Sequence, residues 1–331
     1  MRITRASLIR IAKETVQQRT YNDKTIIAAY LTGSLLTAEP FLGGTTDIDL
    51  VFIHKERPSF RREIVGLSSD LHLDISHQAQ KDYLPLRELR LNPWLGYEIY
   101  DPMLLFETEH FFEFTQAGLR AQFLESPIVI QRSRRLLDPG RQIWTDLEDK
   151  SRTSPNQLEK YLKSIYHAVN ALAELTGPPL SERRLLLDFP ARADALERSG
   201  YNAGLLGLLG AVNMNADLLS TWLPEWQAAY LAAAESPRVD PRIHPARLGY
   251  YMKAFEAMNG SENPGALLWP MLRTWTLATT VLPKEKNTAW QAACQHLCLT
   301  GEHFQERMQG LDQYLDSIEE MLEGMAAAQG D

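Results

Sequence analysis

The pattern of apolar and polar residues predicts short strands only in the first half of the chain. Three runs there are typical of strands: 26–32, 47–53 and 71–76. An apolar stripe at 4–19 predicts an amphipathic helix before them. Helical spacing of Phe60, Ile64 and Leu67 predicts a helix within 57–69, and 97–101 is interpreted as a further strand.

The second half lacks strand alternation and predicts helices separated by Gly and Pro. The predicted helices begin near 155 and continue through 200–215, 219–235, 245–259, 265–282 and 289–325. The segment Ser-Arg-Thr-Ser-Pro at 151–155 is interpreted as a linker. We therefore predict an α+β fold with two domains, a sheet-containing domain at 1–150 and an all-α helical bundle at 151–331.

The chemistry of the first domain is concentrated in residues 31–53, LTGSLLTAEPFLGGTTDIDLVFI. Gly33-Ser34 breaks the first strand, and Ser34 is predicted to cap a helical turn whose free backbone N–H groups suit a phosphate. Asp47 and Asp49 are two residues apart on the second strand, so they face the same side while Ile48 and Leu50 enter the core. Because two close carboxylates repel each other, this spacing indicates a compensating cation, and Mg²⁺ is the expected one.

These residues resemble the nucleotidyltransferase superfamily typified by DNA polymerase β, and in particular its minimal and aminoglycoside nucleotidyltransferases. The resemblance consists of Thr32-Gly33-Ser34, a linker of twelve residues, and Asp47-Ile48-Asp49-Leu50. It covers about the first third of the chain. It implies a small mixed β-sheet with flanking helices as the core, and transfer of a nucleoside monophosphate to an acceptor with release of pyrophosphate.

The resemblance also implies a third carboxylate on a later strand. Asp74 is the natural candidate, because alternation in Leu71-His72-Leu73-Asp74-Ile75-Ser76 puts it on the polar face. Asp70, which follows two serines, and Asp82, in a polar segment, are the competing candidates. The family's strand that ends in an Asp-Pro turn matches either Asp101-Pro102 or Asp138-Pro139, and the sequence does not decide between them.

The implied site uses two Mg²⁺ ions held by Asp47, Asp49 and Asp74, with Gly33 and Ser34 binding the triphosphate of a nucleotide, expected to be ATP. Glu98 and Asp101 are candidates for a further carboxylate. In relatives of this kind a C-terminal helical bundle completes the acceptor pocket, sometimes across a homodimer.

Charge and composition narrow the choice of acceptor. The chain of 331 residues is 44% hydrophobic and 23% charged, as in ordinary globular proteins. Its net charge is −8, and 151–331 holds 15 basic against 21 acidic residues. Because affinity for nucleic acid comes largely from Lys and Arg, this balance argues against a nucleic-acid partner and favours a small polyhydroxylated or cationic acceptor.

No apolar run is long enough to span a membrane, and no secretory segment opens the chain, so we expect a cytoplasmic protein without a membrane partner. The predicted activity is transfer of AMP to a hydroxyl group of a small molecule. Two alternatives stay open: modification of a protein or a tRNA in a toxin-antitoxin pair, and a non-catalytic nucleotide-binding or interaction protein that retains the fold.

Overall fold

The computed structural model describes residues 3–148, 154–212, 214–238 and 240–328. It divides the chain into two compact units. The first consists of Met1–Ile128 and Ala246–Ala257, and the second of Val129–Pro245 and Met258–Asp331.

The first unit contains a five-stranded mixed sheet in the order β3-β4-β2-β1-β5. The strands are β1 (Ile26–Thr32), β2 (Ile48–His54), β3 (Arg62–Gly66), β4 (His72–Ala79) and β5 (Met103–Glu107). The pair β2 and β4 is parallel, and every other neighbouring pair is antiparallel. The predicted α+β class is therefore confirmed, as are the three sequence-predicted strands.

Helices cover both faces of this sheet. Helix α1 (Arg5–Asn22) begins at the N-cap Thr4 and buries Leu8, Ala12 and Val16 against the face formed by Ile48, Leu50 and their neighbours. The opposite face carries Tyr30, Val51 and Ile53. It packs against the short helices α2 (Leu86–Arg90), α3 (Leu95–Tyr100) and α4 (Phe111–Arg120). The predicted helix at 4–19 and the inward direction of Ile48 and Leu50 are confirmed.

Two predictions between these strands were wrong. Residues 62–66 form strand β3, because the β-branched pair Ile64-Val65 joins the ladder of β4, where Ile64 lies opposite Asp74. Residues 95–100 form α3, which starts where the Asn92 side chain accepts hydrogen bonds from the backbone N–H groups of Trp94 and Leu95 at 3.1 and 3.0 Å. In both places tertiary or capping contacts outweigh a short apolar pattern.

Neither of the two Asp-Pro pairs ends a strand, so the predicted match to a strand that ends in Asp-Pro was wrong at both positions. Asp101-Pro102 separates α3 from β5, so it follows a helix and precedes a strand. Asp138-Pro139 lies inside helix α5 (Ser126–Glu148). The local sequence alone did not reveal this difference, since Asp-Pro marks only a change of backbone direction.

The described part of the second unit contains helices and no strand. Its helices are α5 from residue 129 onward, α6 (Pro155–Glu174), α7 (Leu185–Ala195), α8 (Gly200–Leu208), α9 (Ala216–Ala234), α11 (Leu268–Val281), α12 (Thr288–His296) and α13 (His303–Ala327). Helix α10 (Leu248–Asn259) belongs to the first unit up to residue 257. The segment 289–325, predicted to be helical and broken by Gly and Pro, contains α12 and α13, which are separated where Cys298 and Gly301 have positive φ.

The boundary between the units differs from the predicted one near residue 150. Helix α5 is tied to α6 by a buried ion pair between Arg132 and Glu174 at 2.6 Å, and by a hydrogen bond from Ser133 Oγ to the Ala171 carbonyl. Those contacts place 129–148 with the second unit. Residues 246–257 return to the first unit, which no local pattern indicates.

Among the described helices, none combines the length and apolar character needed to cross a membrane.

Candidate functional site

Gly33 and Ser34 form the turn that leaves strand β1. Gly33 has φ of 80° and occupies the N-cap position of a single 3-10 turn, Ser34–Leu36. The expectation that Ser34 caps the turn was wrong, because its hydroxyl instead meets the Thr46 hydroxyl at 2.6 Å. This bond ties the turn to the residue just before Asp47. The predicted role of Gly33 and Ser34 in binding phosphate stays a prediction.

Gly33 is also packed directly against Asp49. A methyl group at position 33 would overlap the Asp49 carboxylate, so the missing side chain makes the space in which that carboxylate lies. Position 33 therefore needs glycine for its positive φ and for this close approach.

Parallel pairing brings the predicted carboxylates together. Asp49 on β2 lies opposite Asp74 on β4, and Asp47 directly precedes β2. Asp47 and Asp74 are buried, with 7% and 4% of their surface exposed. Side-chain ligand atoms of Asp47, His72 and Asp74 all lie within 4.8 Å of one another. The structure thus gathers Asp47, Asp49 and Asp74 at one place on the sheet.

The competing aspartates are engaged elsewhere. Asp70 lies in the turn before β4, where its carbonyl accepts a hydrogen bond from Thr45 Oγ1 at 2.6 Å. Asp82 accepts from the Ala79 backbone N–H. Asp101 has a side chain that is 88% exposed and lies 3.6 Å from Arg120. Of these aspartates and Asp74, the structure places Asp74 beside Asp49.

Burial and like charge dominate the electrostatics of Asp49. Its pKa is raised well above the ordinary value, first because its carboxylate is desolvated and next because Asp47 is close. Arg247 and Arg62 act in the opposite direction. An acidic pair of this kind is stabilised in its ionised form by a nearby cation.

Two arginines that sequence reasoning missed hold Asp74. Arg62 on β3 donates from Nε to Asp74 Oδ1 at 2.7 Å and from Nη2 to Oδ2 at 2.6 Å. Arg247 makes a second ion pair, from its Nη2 to Asp74 Oδ2. A strand assignment for 62–66 would have revealed Arg62 as a neighbour of β4, but no signal in the sequence connects Arg247 to a strand so far away along the chain.

Glu98 is the further carboxylate that the structure brings to this site. The Tyr30 hydroxyl donates to Glu98 at 3.4 Å and lies 3.1 Å from the Tyr83 hydroxyl. Burial raises the pKa of Glu98 from 4.5 to about 7, although hydrogen bonds from Tyr30 and Gln78 oppose the rise. The negative charge of Glu98 also helps to raise the pKa of Asp49, so the two carboxylates interact electrostatically.

His72 is the third residue near the carboxylates, after Arg62 and Arg247, that the sequence did not single out. Its Nε2 is 3.9 Å from Asp47 Oδ2, and its ring packs edge-on against Tyr250 at 5.2 Å between centroids. The ring is fully buried. His72 thus contributes to the wall behind Asp47.

Asp47, His72 and Asp74 are the described side chains at this site whose ligand atoms could together hold a metal ion, and Asp49 is not in that group. Oxygen ligands from a few carboxylates suit Mg²⁺, and Asp47 is close enough to Asp49 for its charge to raise the Asp49 pKa. The space at Gly33 accommodates the Asp49 carboxylate in this arrangement. Arg62 and Arg247 bind the carboxylate oxygens of Asp74. Asp74 could therefore bind a metal ion only if one of these arginines released an oxygen.

Comparisons with protein-family models and with curated proteins gave no match for this chain. The nucleotidyltransferase resemblance therefore rests on the residues themselves, namely the Gly33-Ser34 turn and the aspartates of β2 and β4.

Replacement of Gly33 by Ala is expected to lower the free energy of unfolding of the first unit by about 3 kcal/mol, since it adds backbone strain and displaces Asp49. Gly44→Ala is the matched control, because Gly44 also has a positive φ of 75° but open space around its Cα. It should cost about 1 kcal/mol. Urea unfolding measures both, and equal losses would contradict the packing argument.

Glu98→Gln is expected to change how stability depends on pH. With a folded pKa of about 7 against an unfolded value near 4.5, Glu98 keeps its proton on folding. Its contribution to stability is therefore full below about pH 4.5 and is lost as pH rises towards 7, by about 2–3 kcal/mol.

The glutamine variant should lack this loss, so the difference in unfolding free energy between variant and wild type should grow from pH 5 to pH 8 in the variant's favour. Asp101→Asn, an exposed change on the same segment, serves as the control. A constant difference across this range would show that Glu98 titrates normally.

Proposed function

We propose that this protein is a metal-dependent nucleotidyltransferase that moves AMP from ATP to a hydroxyl group of a small-molecule acceptor and releases pyrophosphate. The observation that carries the proposal is that Asp49 on β2, Asp74 on β4 and Asp47, just before β2, lie close together next to the Gly33-Ser34 turn. A Gly-Ser turn beside clustered carboxylates is the combination expected to hold a triphosphate together with its metal ions.

In this proposal Asp47 and Asp49 hold Mg²⁺, and Asp74 contributes an oxygen to the same site. A metal held there would supply positive charge that offsets the negative charge on the oxygens of the transferred phosphoryl group and of the leaving pyrophosphate. The Gly33-Ser34 turn binds the triphosphate tail, and the Ser34–Thr46 hydrogen bond fixes its distance from Asp47. The chain contributes mainly position and preorganised charge.

Glu98 is suited to accept the proton of the acceptor hydroxyl. A carboxylate with a pKa of about 7 is half ionised at neutral pH, which is favourable for a general base. The structure supports Glu98 over Asp101 for this role, because Asp101 is exposed and lies beside Arg120.

A non-catalytic nucleotide-binding protein is the second candidate, and one observation favours it. Asp74 makes ion pairs with both Arg62 and Arg247, so the third carboxylate is compensated without a metal. A protein of this kind would bind nucleotide without transferring it. The two candidates differ in turnover and not in binding.

Calorimetry should detect ATP binding that requires Mg²⁺. Asp47→Asn combined with Asp49→Asn should abolish it, because the metal would lose two of its ligands. Asp101→Asn, which removes an exposed carboxylate of the same unit, should leave binding unchanged. Absence of Mg²⁺-dependent binding for every nucleoside triphosphate would defeat both candidates.

ATP labelled at the α-phosphate should transfer its label to a polyhydroxylated small molecule, with equal release of pyrophosphate. The screen includes proteins and tRNA as rival acceptors. Label found only on protein or tRNA would reject the small-molecule acceptor. ATP binding without label transfer to any acceptor would favour the non-catalytic candidate.

A further inference from the structure

Both carboxylate oxygens of Asp74 are occupied by guanidinium groups. Arg62 binds the two oxygens in a paired, planar arrangement at 2.7 and 2.6 Å, and Arg247 adds a contact to Oδ2. Paired bonds of this kind are among the stronger ion pairs in proteins. While they persist, Asp74 has little capacity left to bind a metal, and two positive charges stand where a cation would approach.

The two arginines differ in their freedom to move. The Arg62 side chain is 42% exposed and extends from β3, which lies at the edge of the sheet and pairs only with β4. Arg62 can therefore turn towards solvent without disturbing a second strand. The Arg247 side chain is 7% exposed, so its charge is fixed at the site.

Arg247 also has an unused donor. Its Nε is buried and has no hydrogen-bond partner among the described residues. A buried N–H group without an acceptor is unfavourable, and an anionic oxygen would satisfy it. Fixed positive charge with a spare donor beside a mobile guanidinium is chemistry suited to a phosphate group.

We propose that Arg62 blocks metal binding by Asp74 until the phosphates of a nucleotide draw Arg62 away. We call Arg62 in this role the latch, and the inference rests on the proposed function. Without nucleotide, Arg62 holds Asp74 and weakens metal binding. A triphosphate offers Arg62 an anion with more charge and the same paired geometry, so Arg62 leaves Asp74 and binds the phosphates. Asp74 then becomes available as a metal ligand, which makes metal binding depend on the presence of nucleotide. Arg62 is thus a positioning residue for Asp74.

The first measurement is Mn²⁺ affinity of the full chain without nucleotide, from the electron paramagnetic resonance signal of free Mn²⁺. Arg62→Ala should bind Mn²⁺ about tenfold more tightly than wild type, because Asp74 is released. Arg62→Lys keeps the charge without the paired bonds and should fall between the two. Arg61→Ala, an exposed neighbour outside the Asp74 ion pair, is the control and should match wild type.

A double-mutant cycle separates the latch from a general effect of charge. In an Asp74→Asn background, Arg62→Ala should leave Mn²⁺ affinity unchanged, because its effect passes through Asp74. A gain that persists in this background would overturn the latch, as would equal Mn²⁺ affinity of Arg62→Ala and wild type.

The second measurement is ATP affinity in excess Mg²⁺. Arg62→Ala should weaken it about tenfold, since a charge-assisted contact to phosphate is lost. The variant should therefore bind metal more tightly when nucleotide is absent, and bind ATP more weakly when Mg²⁺ is in excess. A purely structural role of Arg62 would not produce these two opposite changes. Unchanged ATP affinity would overturn the latch.

The two proposals fail in distinguishable ways. If wild type binds Mg²⁺-ATP but Arg62→Ala shows neither change, the latch is wrong and the proposed function stands. If wild type binds no nucleoside triphosphate under any condition, the proposed function is wrong, and the latch falls with it because no phosphate operates it.

Discussion

The parallel pairing of β2 with β4 is the constraint on which the candidate site depends. It sets Asp49 directly opposite Asp74, although 24 residues separate them in the chain. A shift of one residue in this register would turn one of the two carboxylates into the hydrophobic core. The apolar residues that alternate with the aspartates, Ile48 and Leu50 on β2 and Leu73 and Ile75 on β4, oppose that shift because all four are buried on the other face.

The same arrangement brings buried carboxylates close together, which makes their ionised forms unfavourable unless positive charge lies nearby. The pKa of Asp49 is raised well above its ordinary value, first by burial and next by the nearby charge of Asp47. Arg62 and Arg247 form ion pairs with Asp74, and burial raises the pKa of Glu98 to about 7. The surroundings of the carboxylates therefore include a buried guanidinium group from Arg247, a more exposed one from Arg62, and a buried acid, Glu98.

Segment 246–257 belongs to the first unit although it is far from the other residues of that unit in the sequence. It brings Arg247 to Asp74 and Tyr250 to His72. It also passes so close to the loop before β2 that a side chain at Gly43 would overlap the Lys253 carbonyl. This segment lies more than a hundred residues after the sheet in the sequence, yet its side chains contact Asp74 and His72.

The sequence alone determined the α+β class, the helix that begins after Thr4, and the directions of Asp47, Asp49 and Asp74, because strand alternation and capping are read over a few neighbouring residues. It failed at 62–66 and 95–100, where short apolar patterns suit either helix or strand and where pairing with β4 or capping by Asn92 decides. It also missed Arg62 and Arg247 as partners of Asp74, since an ion pair between distant residues leaves no periodic trace in the chain. The tertiary structure decided which charges surround the carboxylates, because the field at a buried group comes from neighbours in space and not from neighbours in sequence.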